Sequence, residues 1–326
     1  MTALLLAGCT QPRPSPLDAG TGPGSWAGAR PLPQERFEAY AVTLHGKIHF
    51  IGGISDLGCP DGANACVSDH VDVYDPAQQM WFDGPPLPAE APRHHLAVAL
   101  SNDTVYVLGG FTGIIGGTLN FAPVPTTYSF DGATWKRLAD QPLARGSATA
   151  QAIDGKIYVA GGGKQEPDAL NDLYVYDPAA DQWTALAPMP TAREHVASCA
   201  LQGKFLVVGG WLNDKTVVAA AEAYDPALNR WTVLPDLPTP RGGLAANVLG
   251  TTCYAIGGEQ WIGPDPATFA DNQGFDFANG QWRPFAPNPH RRHGMGLAAL
   301  GGSLYAVGGG PSRGNSYTNV VDVFTP

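Results

Sequence analysis

The sequence predicts an all-β protein, a single six-bladed β-propeller closed by an outer strand from its own N-terminal segment. Three observations support this prediction: a double glycine that recurs six times, an arginine at a fixed distance before each double glycine, and a tryptophan after the third strand of each unit. Repeats of about 50 residues with four strands each are typical of propeller blades, whose twisted sheets pack face to face around an axis.

The composition agrees with many short strands joined by tight turns. Of 326 residues, 41 are glycine and 30 are proline, and charged residues make up 15%, below the roughly 25% of ordinary soluble domains. The formal net charge is −10, and no cluster of lysine or arginine is present. A nucleic-acid partner is therefore not expected, because the phosphate backbone would be repelled.

The first two strands of each unit are predicted from two apolar runs that end at the double glycine. The runs are separated by pairs such as "HG", "DG" and "QG", whose residues tolerate the positive φ of a two-residue hairpin turn. An arginine stands sixteen residues before each first glycine, and its recurrence in every unit indicates a structural role, in bonds to neighbouring backbone or carboxylates. These arginines are Arg36, Arg93, Arg145, Arg193, Arg241 and Arg292.

The third strand ends in an aromatic residue, as in "VDVYDP" and "LYVYDP", and a tryptophan opens the fourth strand. We expect each aromatic pair to fill the wedge between adjacent blades, where replacing a buried tryptophan by alanine typically costs about 3–5 kcal/mol. The tryptophans are Trp81, Trp135, Trp183, Trp231 and Trp282.

The sixth unit stops one strand short, and the N-terminal segment is predicted to supply the missing strand. The last residues, "VDVFTP", match "VDVYDP" of the first unit. Trp26 lies ten residues before Arg36, the same distance that separates a fourth-strand tryptophan from the next arginine in four other units. A ring left open would expose two sheet edges, so we expect Trp26 to belong to the sixth blade.

A double glycine followed by Tyr-Asp and by a tryptophan six residues beyond the aspartate resembles the kelch repeat. The resemblance covers residues 26–326, with small departures at Phe130-Asp131 and Phe275-Asp276. It implies a ligand face built from the residues just after each arginine and from the loops after each double glycine, around the mouth of the axial channel. Six-bladed periplasmic sialic-acid mutarotases are similar in size and blade number, although no catalytic residue can be mapped from them. The seven-bladed copper-radical galactose oxidases need an added domain for which this chain has no room.

The residues after the arginines differ from unit to unit, and such departures from a repeat are where function is expected. Three interpretations are open: a polar rim that holds ordered water, a pocket for a small polar ligand such as a sugar, or a metal held by histidines of alternate blades, since imidazoles suit zinc or copper. For the pocket, Glu194 and His195 are the candidate catalytic pair, because a glutamate and a histidine can transfer protons. The other candidate ligand-binding residues in these positions are Glu38, His94, His95, Ser147 and His293.

Two tryptophans, Trp211 and Trp261, lie outside the repeat pattern, in loops that follow a double glycine. An aromatic ring beside polar groups suits the apolar face and the hydroxyls of a sugar, although each tryptophan could instead anchor its own loop. Arg313 lies in a similar loop and could meet an acidic substrate. We expect a binding or scaffold module for a protein or glycan; the alternative is a sugar epimerase or mutarotase. We expect a monomer and predict neither a cofactor nor a resident metal.

The first nine residues, "MTALLLAGC", resemble a bacterial lipoprotein signal, which implies a lipid on Cys9 and a location in the periplasm or at the cell surface. The apolar core is shorter than a signal needs, so either the true start lies upstream or the match is accidental. Residues 10–25 are predicted to form a tether rich in proline and glycine.

Four further cysteines are present. Cys59 and Cys66 share one polar loop and could form a disulfide in an oxidising compartment or remain two free thiols. Cys199 and Cys253 are expected to be small buried residues.

Overall fold

The computed structural model describes residues 22–56, 59, 65–115, 118–164, 168–262 and 267–326, so Cys9 and most of the predicted tether lie outside the described residues. No helix that is long and apolar enough to cross a lipid bilayer occurs within these ranges. The strands are β1 (Ser25–Gly28), β2 (Tyr40–Leu44), β3 (Lys47–Ile51), β4 (Ile54–Ser55), β5 (Cys66–Val67), β6 (Val71–Asp75), β7 (Met80–Asp83), β8 (Ala97–Ser101), β9 (Thr104–Leu108), β10 (Phe111–Ile115), β11 (Thr118–Pro123), β12 (Thr127–Phe130), β13 (Trp135–Leu138), β14 (Thr149–Ile153), β15 (Lys156–Ala160), β16 (Leu173–Asp177), β17 (Gln182–Leu186), β18 (Ala197–Leu201), β19 (Lys204–Val208), β20 (Ala221–Asp225), β21 (Arg230–Val233), β22 (Ala245–Leu249), β23 (Thr252–Ile256), β24 (Glu259–Gln260), β25 (Ala267–Thr268), β26 (Asn272–Asp276), β27 (Gln281–Pro284), β28 (Gly296–Leu300), β29 (Ser303–Val307) and β30 (Val321–Thr325).

Six four-stranded antiparallel sheets form the blades, which confirms the predicted fold class. Blades 1 to 5 have the strand orders β2-β3-β6-β7, β8-β9-β12-β13, β14-β15-β16-β17, β18-β19-β20-β21 and β22-β23-β26-β27. Blade 6 has the order β28-β29-β30-β1. Two-stranded hairpins, β4-β5, β10-β11 and β24-β25, follow the second strands of blades 1, 2 and 5. The loops after the double glycines therefore extend beyond the blades at one end of the propeller.

The N-terminal strand closes the ring, as the sequence predicts. Strand β1 pairs antiparallel with β30, and Trp26 stands opposite Phe324 with the two ring centroids 5.1 Å apart. The indole Nε1 of Trp26 donates a hydrogen bond of 2.8 Å to the carbonyl oxygen of Ala286, which follows the outer strand of blade 5. Blade 6 is thus completed by the two ends of the described chain.

The same contact joins every blade to the one before it. Each fourth-strand tryptophan packs on the aromatic residue that ends the third strand, with centroids 4.5 to 5.3 Å apart. Its indole N–H donates to a backbone carbonyl just after the outer strand of the preceding blade. The acceptors, from the Trp26 bond onwards along the chain, are Ala286, Arg30, Pro85, Ala139, Ala187 and Pro235.

The six arginines are at most 2% exposed and bond to the double-glycine ends of their own blades. Five of them donate to the carbonyl oxygen of the glycine sixteen residues later, and Arg36 donates to the carbonyl oxygen of His70. Three also form ion pairs with carboxylates of the third strand: Arg36 with Asp72, Arg193 with Glu222, and Arg292 with Asp322. The guanidinium groups thus donate hydrogen bonds to backbone carbonyl oxygens at the strand ends, where the hydrogen bonds between strands stop.

The hydrophobic core lies between neighbouring sheets, and a disulfide crosses it between blades 4 and 5. Cys199 of β18 is bonded to Cys253 of β23, and both sulfur-bearing residues belong to one buried cluster with Leu206 and Phe275. The expectation that these cysteines are simply small buried residues is therefore wrong, because the inner strand of one blade faces the second strand of the next. In the loop of blade 1, Cys59 is bonded to Cys66.

Replacing Cys199 and Cys253 together by alanine is expected to lower the free energy of unfolding by about 4 kcal/mol, because the crosslink closes a long loop and restricts the unfolded chain. The Cys59→Ala/Cys66→Ala protein is the matched control, and its short loop predicts a smaller loss of about 2.5 kcal/mol. Urea unfolding with and without a reductant measures both effects. Equal losses in the two double variants would contradict the assignment of the crosslink between blades.

Candidate functional site

The residue two positions after each of the six arginines forms backbone hydrogen bonds with the equivalent residues of the neighbouring blades. Together these six residues make a closed ring around the axis. In each blade the N–H of this residue donates to the carbonyl oxygen of its counterpart in the preceding blade, at 2.7 to 3.1 Å. All six residues have φ between 50° and 61°. We call this the axial ring; its members are Glu38, His95, Ser147, His195, Gly243 and Gly294.

The axial ring separates two regions along the axis. Beyond it, the inner strands β2, β8, β14, β18, β22 and β28 line a cavity of about 320 Å³. On the other side lie the loops that follow the double glycines. The side chains of Glu38, His95, Ser147 and His195 are only 1 to 6% exposed. The loops therefore cover these four side chains and separate them from bulk solvent.

The loops are held on the axial ring by short antiparallel bridges. In each blade the first residue after the arginine pairs with the residue after the double glycine, for example His94 with Phe111 and Glu194 with Trp211. Two glycines make room for these aromatic rings, because a Cβ at Gly146 would collide with Phe111 and a Cβ at Gly242 would collide with Trp211. An aromatic residue in one loop thus lies over a glycine of the next blade.

Between the axial ring and the loops lies a buried cluster of carboxylates and imidazoles. The Nε2 of His95 is 3.4 Å from Oε2 of Glu38. The Nδ1 of His293 is 3.5 Å from Oε1 of Glu38 and 3.4 Å from Oε1 of Glu259. Gly294 makes room for the Glu38 carboxylate, because a Cβ at position 294 would collide with that carboxylate. Three candidate residues, Glu38, His95 and His293 of blades 1, 2 and 6, therefore converge with Glu259 of blade 5.

Burial and neighbouring charges divide the histidines of this cluster into two kinds. Burial lowers the pKa of His95 and of His195 well below the ordinary value, and the surrounding imidazoles add to the effect. Burial also opposes protonation of His293, but its hydrogen bond to Glu38 and the charges of Glu259 and Glu38 outweigh this and raise its pKa. Two neutral imidazoles thus lie beside one that favours the charged form.

His94 is a buried neighbour of this cluster rather than a surface ligand. It is 0% exposed, and burial lowers its pKa to about 3. Its Nδ1 lies 2.5 Å from Nδ1 of His95, and its ring packs against Phe111 and Phe121. Phe121 was not identified from the sequence, because it lies on β11, within a loop of variable length outside the recurring residues of the repeat.

The candidate catalytic pair is also buried. Glu194 is 0% exposed and His195 is 6% exposed. The imidazole of His195 stacks on the indole of Trp211, with centroids 4.0 Å apart, and Trp211 itself is only 2% exposed. The expectation that Trp211 offers a flat surface to a sugar is therefore wrong. It covers the cluster instead.

The outermost part of the site is a partly exposed patch of one aromatic, one aliphatic and two cationic side chains. Lys215 Nζ lies 4.9 Å from the centroid of the Trp261 ring, and the guanidinium carbon of Arg313 lies 5.9 Å from the same centroid. Ile262 beside it is 55% exposed. We call Lys215, Trp261, Ile262 and Arg313 the loop patch. Its position directly above Glu259 and Trp211 links the surface to the buried cluster.

Two groups of side chains in the described residues have donor atoms close enough to hold a metal ion. One consists of Glu38, His95 and His195, all buried, and the other of His70, Asp72 and Asp83 at the outer part of blade 1. Asp72 is already paired with a guanidinium, and the side chain of Asp83 is 88% exposed. The buried group is therefore the stronger candidate.

The closed ring of six sheets and the recurring arginine, double glycine and tryptophan define a kelch-type β-propeller. A family model described as the KLHDC2/KLHL20/DRC7 Kelch-repeats domain matches residues 39–258, and the chain belongs to this kelch-repeat family.

Curated relatives agree with this assignment. Kelch-like protein 35 of Mus musculus is 29% identical over 158 residues, which are 48% of this chain and 24% of that protein. Kelch-like protein terF of Aspergillus terreus is 26% identical over 306 residues, which are 93% of this chain and 56% of that protein. The chain thus spans only part of the length of these relatives.

A solved structure, described as the structure of YjhT, superposes with a TM-score of 0.75 at 15% identity and covers 91% of this chain and 97% of that one. At this identity the likeness concerns the fold.

Proposed function

We propose that this propeller is a binding module that receives a protein or glycan with an acidic group on its loop patch. The observation that carries the proposal is the placement of Lys215 and Arg313 at the ring of Trp261. Two cations beside a half-buried indole can pair with a carboxylate while the ring contacts an apolar surface. Kelch propellers as a class are compatible with binding or scaffold roles.

Burial of the ionisable cluster favours binding over catalysis in this conformation. Glu194, His195 and His293 are at most 6% exposed, so a ligand seated on the loop patch would contact Trp261 and the cations first. The buried side chains would then support the loops that carry the patch. An acidic ligand is favoured although the formal net charge of the protein is −10, because local cations act at short range within the Debye length.

Replacing Trp261, Lys215 or Arg313 by alanine is expected to weaken binding of an acidic ligand about 2- to 30-fold each, the range of one aromatic–cation contact. The measurement is titration of wild type and variants with ligands selected from arrays of acidic glycans and acidic peptides. Lys136→Ala and Arg230→Ala are matched controls, because they remove the same charges from exposed positions on the outer strands β13 and β21. Equal affinities in patch and control variants would exclude the loop patch as the binding site.

We also propose that the protein works outside the cytoplasm. The two disulfides support this, because such bonds persist in oxidising compartments and are rare where glutathione keeps thiols reduced. Cell fractionation of the native host, with non-reducing peptide mapping, tests the proposal. A protein recovered in the cytoplasm with free thiols would contradict it.

A second candidate function is a sugar epimerase or mutarotase. The observation that favours it is the network in which Glu38 and Glu259 flank His293, because a protonated imidazole between two carboxylates can give and take protons. Following anomer exchange of reducing sugars, including sialic acids, by NMR tests this function. Acceleration that is lost in Glu259→Gln, which alters this network, and in Glu194→Gln and His195→Ala, the candidate catalytic pair, would support it, and no acceleration across the panel would exclude it for those sugars.

A further inference from the structure

We propose that Glu38, His95 and His195 form a binding site for a divalent first-row transition-metal ion, with two imidazole nitrogens and one carboxylate oxygen as ligands. The three residues come from the axial ring in blades 1, 2 and 4, and one donor atom from each lies within 4.8 Å of the others. The proposal is independent of the ligand of the loop patch.

The spacing of the donors suits such an ion. Zinc bonds of about 2.0–2.2 Å at tetrahedral angles separate ligand atoms by about 3.4 Å. The Oε2 of Glu38 and the Nε2 of His95 are 3.4 Å apart, and the rings of His95 and His195 have centroids 4.8 Å apart at an angle of 80°. Two nitrogens and one oxygen are a ligand set that zinc, iron and their neighbours accept.

The ligands are held by the backbone rather than by flexible loops. Each of the three residues has φ near 50° and contributes an N–H and a carbonyl to the hydrogen-bonded axial ring. Side chains fixed on a closed backbone ring lose little further freedom when a metal binds. The glycine at position 294 provides the space into which the Glu38 carboxylate extends.

The second ring nitrogen of His95 has a hydrogen-bond partner, His94, in the position where metal-bound histidines usually have a carboxylate, a backbone carbonyl or water. Its Nδ1 lies 2.5 Å from Nδ1 of His94. With a metal on Nε2, the Nδ1–H of His95 donates to His94, and this contact fixes both the tautomer and the ring orientation. Without a metal in the same tautomer, the lone pair of Nε2 faces the Glu38 carboxylate at 3.4 Å, which is a repulsive arrangement. A cation between them removes the repulsion.

The charges around the axial ring also favour a cation. Three carboxylates, those of Glu38, Glu194 and Glu259, are at most 3% exposed. Oε1 of Glu38 and Oε1 of Glu259 lie 3.5 and 3.4 Å from Nδ1 of the same imidazole, that of His293. A cation bound at Oε2 of Glu38 would add positive charge to a region in which buried carboxylates lie close together.

Zinc titration of the chelator-treated, untagged full chain is the direct test. We expect about one equivalent of zinc per chain to remain after desalting, with a rise in the melting temperature, because the ion binds only the folded ring. Cobalt(II) added to the metal-free protein should give intense visible bands of a low-coordinate site, and zinc should abolish them. A wild type that retains no zinc and gives only the weak spectrum of hydrated cobalt would overturn the proposal.

Substitution of each proposed ligand tests whether the zinc ion binds to these three residues. Glu38→Gln, His95→Ala and His195→Ala are each expected to lose the bound equivalent. His70→Ala removes the histidine of the other candidate group in blade 1 and is expected to retain it. Retention by all three axial-ring variants, or loss only in His70→Ala, would contradict the assignment. If the axial-ring variants fail to fold, the cobalt spectrum of the wild type decides. Failure of the zinc site would leave the loop-patch measurements unchanged, so the two proposals can be separated.

Discussion

Deletion of residues 24–35 is expected to lower the melting temperature by more than about 10 °C, since it removes two apolar anchors worth about 3 kcal/mol each. One is Trp26, which packs on Phe324 and bonds to Ala286. The other is Leu32, which is 2% exposed and whose N–H donates to the carbonyl oxygen of Asn319. The deletion also leaves β30 as an unpaired sheet edge, which favours association between chains. Differential scanning calorimetry at several protein concentrations measures both effects.

A synthetic peptide of residues 22–35 provides the matched control for this deletion. Added to the truncated protein, it should raise the melting temperature in a concentration-dependent way, because it can pair with β30 in place of the missing strand. The same peptide with Trp26→Ala should rescue much less. An unchanged melting temperature after deletion, or equal rescue by both peptides, would contradict closure by this strand.

Arg193→Met is expected to lower the free energy of unfolding by about 3–5 kcal/mol, because it leaves a buried carboxylate without its counter-charge. The guanidinium Nη2 of Arg193 lies 2.8 Å from Oε2 of Glu222, and the side chains are 0% and 2% exposed. The same guanidinium donates to the carbonyl oxygens of Gly209 and Ala220. Urea unfolding of wild type and variant measures the loss, with circular dichroism confirming the native sheet content.

Two further variants separate the charge effect from the loss of carbonyl bonds. Arg145→Met removes an arginine that donates to the carbonyl oxygens of Gly161 and Asp172, and its expected cost is smaller, about 1–3 kcal/mol. Arg193→Met combined with Glu222→Leu should recover part of the loss, because the unpaired carboxylate is gone. A double variant that is less stable than Arg193→Met alone would contradict this explanation.

The scaffold could be predicted from the sequence because its determinants recur at constant spacing. The hairpin turns follow from pairs such as Asp154-Gly155, which adopt positive φ. The closing strand follows from the distance between Trp26 and Arg36. In both cases the residues that determine the structure are close in sequence, so the spacing found in one repeat predicts the structure of the next.

The site could be predicted only in part, because it depends on contacts between different blades. The residues after the arginines were identified as candidates, but not their burial, which comes from loops that return over the axial ring. The position of Glu259 against His293 could have been found by pairing each residue after a double glycine with the first residue after the arginine of the next blade. The bond between Cys199 and Cys253 was missed because the twist of the sheets, not the strand pattern, decides which strands face each other.

The central claim, a ring of six sheets closed between blades 6 and 1, is tested most directly by hydrogen exchange of the backbone amides. The amide of Glu38, which donates to the carbonyl oxygen of Gly294 across this closure, should exchange as slowly as those of Ser147 and His195 in the interior of the chain. Slow exchange is also expected for the strand that carries Trp26. Rapid exchange confined to Glu38, to β1 and to β30, with the other blades protected, would show an open ring and contradict the account.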